Sequence, residues 1–112
     1  MARANSYFKI DMLVLSILKQ KDCYGYEMVK LIRKISNNTL NINESTLYPI
    51  VYTLLKQGYI TSREKIINRR NRVYYHIEQS GIEYLENTVK QFRNIINGVF
   101  DILAYEEKEK QG

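Results

Sequence analysis

The sequence predicts a mainly α-helical fold with one small β-hairpin. Three observations point there: apolar residues at helical spacing in three segments before residue 57, an alternating β-forming segment around Tyr75, and a heptad of apolar residues from Ile82 to Leu103. At 112 residues the chain is long enough for one domain with a modest core and no disulfide or metal staples.

The first run, Phe8 to Lys19, is apolar at Phe8, Met12, Leu13, Leu15, Ile17 and Leu18, nearly all round, as in a helix buried among others. The second helix starts near Tyr24-Gly25-Tyr26 and repeats Met28, Leu31, Ile32 and Ile35 at i, i+3, i+4, i+7. Asn37-Asn38 marks a turn. The third helix follows Asn43, a good N-cap, with Glu44 near the positive end of its dipole, and stops at Gly58. Tyr59 to Arg63 and Val73 to Ile77 then read as short strands, the second alternating Val73, Tyr75 and Ile77 with Tyr74 and His76. The stretch between them reads as a polar loop ending in the tip Asn68-Arg69-Arg70-Asn71-Arg72. Three helices followed by a hairpin is the order of a winged helix-turn-helix.

From Gly81 to about Tyr105 comes one long helix. Ile82, Leu85, Val89, Phe92, Ile96, Val99 and Leu103 fall at alternating spacings of three and four, a coiled-coil-like seam widened by Ile95, Phe100 and Ile102. A compact domain has little left to cover such a stripe, so Leu85, Val89, Phe92, Ile96, Val99 and Leu103 are expected to pair two copies. Residues 1–80 are then the winged-helix domain and 81–112 the dimerisation helix with a short charged tail. Asn97-Gly98 in mid-helix weakens it by about 1–2 kcal/mol.

Charge divides along the same line. Residues 1–80 carry 13 Lys and Arg against 6 acids, whereas residues 81–112 carry 4 against 6, within a net charge of +5. A basic body suits a polyanion. On a helical wheel the third helix turns Leu47, Ile50, Val51 and Leu54 inward and Ser45, Pro49, Tyr52 and Lys56 outward, flanked by Tyr48 and Thr53. Hydroxyls, phenols and one amine without a carboxylate suit a helix in a major groove. The expected DNA contacts are Ser45, Thr46, Tyr48 and Tyr52 to base edges or phosphates, and Lys56, Arg69, Arg70 and Arg72 to phosphates. Pro49 fits only if the helix starts late or its first turn is distorted, because proline removes a bond to the carbonyl four residues back.

These residues also carry a family resemblance. Tyr24-Gly25-Tyr26-Glu27, Glu44-Ser45-Thr46-Leu47-Tyr48-Pro49, the spacing to Leu54, Gly58, Tyr59 and Ile60, and Val73-Tyr74-Tyr75-His76-Ile77 before Ser80-Gly81 resemble the PadR family of bacterial transcriptional regulators over roughly residues 8–105. The resemblance implies a winged-helix DNA-binding domain, repression as a homodimer, and a recognition helix that accommodates Pro49. The single C-terminal helix is similar to the short subfamily. It also implies release from DNA by a small aromatic effector such as a phenolic acid or a flat hydrophobic drug. Some short members stack ligands between tryptophans, and this chain has none, leaving Phe92, Phe100 or Tyr7 as aromatic walls.

Other chemistries lack residues. One His and one Cys are too few for a tetrahedral protein metal site, nothing resembles a nucleophile triad, and no cofactor or catalytic residue is expected. His76 reads as a surface or packing histidine and Cys23 as a small buried apolar residue. A single cysteine, and an N-terminal apolar stretch broken by Asp11 with no cleavage site, point to a cytoplasmic protein without membrane segment or leader. Two rivals remain: a protein-interaction adaptor using the heptad helix and basic hairpin, and an RNA-binding module.

Overall fold

The structure, a computed structural model, describes residues 9–108. The expected helix start at Phe8 and the candidate wall Tyr7 lie outside them. The elements run α1 (Ile10–Gln20), β1 (Cys23–Tyr24), α2 (Gly25–Ile35), α3 (Glu44–Lys56), β2 (Ile60–Ile67), β3 (Arg70–Ile77) and α4 (Gln79–Leu103). Helix ends follow the local chemistry. Asn37 and Asn38 take positive φ after α2, where the Asn38 N–H donates to Arg33 and the Asn37 N–H to Lys34. Gly58, at φ 77°, ends α3 with the same pair of bonds, Tyr59 to Leu54 and Gly58 to Leu55. Asn43 caps α3, its side-chain oxygen accepting from the Thr46 N–H at 3.0 Å. The helix runs through Pro49 instead of starting late, so the Ser45 carbonyl lacks its i+4 donor.

The core lies where the three short helices meet the sheet. Val14, Leu15 and Leu18 of α1, Met28 of α2, Leu47, Val51 and Leu54 of α3, and Ile60 of β2 are buried together, with Cys23 among them. The sheet has three strands, not two, in the order β1-β3-β2, all antiparallel. Two-residue β1 pairs Cys23 with Tyr75 and Tyr24 with Tyr74. A strand so short leaves no alternation to read, and only pairing with β3 makes it one. α4 is tied back onto this core at its start: the Ser80 hydroxyl donates to the Gly58 carbonyl, and the Tyr84 hydroxyl donates to Asp11 of α1 at 2.6 Å. Gly81 lies so close to the Tyr59 carbonyl that a Cβ there would overlap it. The seam is therefore not uncovered within one chain: Leu85 is buried in the chain's own core, and Ile82, Val89 and Phe92 pack against it. Beyond them α4 continues unbroken through Asn97-Gly98, exposing Ile95, Val99, Phe100, Ile102 and Leu103.

Candidate nucleic-acid interface

α3 presents the face expected of it. Leu47, Val51 and Leu54 are buried, whereas Ser45, Thr46, Tyr48, Pro49, Tyr52, Thr53 and Lys56 are exposed, Tyr52 to 74%. Two hydroxyls are partly committed: Ser45 donates to the Asn43 side chain at 2.8 Å, and Thr53 to the Pro49 carbonyl at 3.1 Å. The end of the Tyr48 ring lies against Gly25 at the start of α2. Burial, then the Glu44 carboxylate, pushes its phenol pKa up. Tyr75 of β3 is raised likewise by burial, then by Tyr48 and Tyr52. These phenols keep their protons at neutral pH and remain hydrogen-bond donors.

The hairpin differs from expectation at its tip. The predicted polar loop is ladder: β2 and β3 stay paired from Ile60↔Ile77 to Ile67↔Arg70, leaving a two-residue turn. Asn68 and Arg69 form it with φ 51° and 66°, the left-handed pair of a type I′ turn. Arg70 and Arg72 thus sit on a strand and only Arg69 in the turn. Polar strands are tolerated because Thr61 to Asn71 are all exposed and no face meets the core. Their charges find partners across the ladder. Asn71 donates to Glu64 at 3.2 Å, Lys65 lies 5.0 Å from the Tyr74 ring centre, and the Arg72 guanidinium lies 4.2 Å from the Tyr24 ring centre. At the base, Asp22 pairs with His76 at 2.8 Å and Arg63 at 3.2 Å, so His76 is a surface histidine with a carboxylate partner. Sequence reasoning missed Asp22, which gives no periodic signal, and read Gly25 only as part of the element opening α2, without the Tyr48 ring that lies against it.

The arrangement places a hydroxyl- and phenol-bearing helix face beside a two-stranded hairpin carrying Arg63, Lys65, Arg69, Arg70 and Arg72 against one acid, Glu64. Fold and site together define a winged helix-turn-helix protein. The transcriptional regulator PadR-like family matches residues 14–87, and the chain belongs to that family, whose members regulate transcription and are not enzymes. It is 32% identical over 87 residues to a Lysinibacillus sphaericus protein, covering 77% of this chain and 80% of that one. A Streptococcus mutans structure superposes with a TM-score of 0.77 at 32% identity, over 92% of this chain and 93% of the other. The Bacillus subtilis PadR, solved with operator DNA, shares the fold at a TM-score of 0.66 and 21% identity, over 71% of this chain and 47% of that one. Among the described residues no helix is long and apolar enough to cross a membrane.

Proposed function

We propose that this regulator is a cytoplasmic homodimer that binds double-stranded operator DNA and represses transcription. The observation that carries the reading is the exposed, hydroxyl-rich face of α3 beside the basic hairpin. Ser45, Thr46 and Tyr52 reach base edges, Tyr48 and Lys56 complete the helix's contacts, and Arg69, Arg70 and Arg72 neutralise phosphates. The operator complex of the related Bacillus subtilis PadR supports the same use of the fold. The exposed apolar end of α4 pairs two copies, so two α3 helices meet half-sites about one turn, some 34 Å, apart on an inverted repeat. Residues 1–80 act as the DNA-binding unit and 81–112 as the dimerisation unit. A small aromatic compound releases the dimer from DNA, a reading that rests on the family alone.

Selection of operator sequences from a random duplex pool tests the reading, followed by affinities for the selected and a scrambled duplex. Replacing Ser45, Thr46 and Tyr52 with Ala is expected to cost about 1–3 kcal/mol per good base contact on the selected duplex and less on the scrambled one. Equal losses on both would reduce α3 to a positioning element. Tight binding to A-form RNA or to an acidic protein in place of DNA would favour the rival readings.

A further inference from the structure

We propose that Gly25 is a specificity-determining positioning residue, whose bare Cα seats the Tyr48 ring and so sets the recognition helix against α2; this rests on the DNA reading above. A Cβ built on Gly25 would lie 2.6 Å from Tyr48 Cζ and 2.9 Å from Cε1, and would overlap the hydroxyl. A side chain can enter that space only if the far end of the Tyr48 ring shifts. Gly25 is the first residue of α2, its φ is not left-handed, and it is buried. Backbone freedom therefore does not explain the glycine; the close approach does. The Tyr48 ring thus sits where α3 meets the start of α2. Four and three residues before it on α3 come Glu44 and Ser45, and four after it comes Tyr52, so the ring neighbours the outward-facing groups along the helix.

The sign of the Gly25→Ala effect separates this from ordinary helix energetics. Alanine in a helix ordinarily stabilises relative to glycine by up to about 1 kcal/mol, whereas here it must displace Tyr48. The test is a double-mutant cycle of Gly25→Ala and Tyr48→Ala, read in thermal unfolding and in the affinity ratio between selected and scrambled duplex. Gly25→Ala is expected to lower the midpoint and reduce the ratio roughly tenfold, the scale of one lost base contact. In the Tyr48→Ala background, where the space is vacant, the same change is expected to leave the ratio unaltered and to raise the midpoint. An equal loss of ratio in both backgrounds, or no loss in either, overturns the proposal. A wild-type protein with no preference between the duplexes overturns the DNA reading instead, and the specificity role with it. The unfolding cycle then still decides whether Gly25 seats Tyr48, since absent coupling there removes the seat.

Discussion

Arg69 shows how one residue can hold a conformation its own chemistry disfavours. At φ 66° in a two-residue turn, glycine would sit without strain, while arginine costs about 1–2 kcal/mol. Arg69→Gly is therefore expected to raise the unfolding midpoint and, at the same time, to weaken DNA binding. Binding that improves or stays constant would remove Arg69 from the interface. Cys23 is the opposite case, a residue kept inert by its surroundings. Burial first, then the Glu27 carboxylate, pushes its thiol up to about 11 from an ordinary 9.0. A raised pKa contributes stability that is whole below pH 9 and is lost as pH rises through 11. The stability difference between wild type and Cys23→Ala is expected to shift against the wild type over that window and not below it. A shift already under way at neutral pH would contradict the burial argument.

At the level of elements, the wing is an exposed ladder with little attachment to the core, so its charges can be removed with small effect on the fold. Replacing Arg69, Arg70 and Arg72 with Ala is expected to flatten the dependence of log K on log salt. Each phosphate contact is worth about 0.9 in that slope, so six lost from a dimer lower it by about five. Arg72 also stacks on Tyr24, so its share of the loss includes a loosened strand. A slope unchanged by the triple substitution would deny the wing its phosphates. Legibility in the sequence also varied by element. α2 and α3 were readable because their caps and apolar spacing are local: Asn43, Asn37-Asn38 and Gly58 each act within one turn. β1 was not, because Cys23 and Tyr24 become a strand only through Tyr74 and Tyr75, some fifty residues away. The hairpin tip was misread as a loop because polarity marks exposure, and an exposed ladder is equally polar.

The whole molecule turns on α4, which is half core and half surface. Its first turns are bound into the chain by Leu85, Gly81 and the Tyr84–Asp11 bond. Substituting Phe92 would damage one chain's own packing and confuse unfolding with dissociation. Val99 and Leu103 are 45% and 73% exposed, so Val99→Asp with Leu103→Asp is expected to leave the single chain folded and to separate the dimer. Sedimentation would then show a monomer with an unchanged circular dichroism spectrum. Affinity for an inverted repeat should fall about 10²–10⁴-fold as the second half-site loses its effective concentration. A wild type that is monomeric at micromolar concentration yet binds the repeat tightly would refute the dimer.

The order of the four helices and of the β2–β3 hairpin, the inward face of α3, the basic wing and the apolar stripe of α4 were all determined by the sequence alone. Each depends on periodicity, capping or composition within a few residues. Tertiary structure decided which part of that stripe is core, how Asp22 holds the base of the hairpin, and why Gly25 must be glycine. Those facts depend on residues far apart in the chain meeting at van der Waals distance, and periodicity records which face is apolar, not what will cover it.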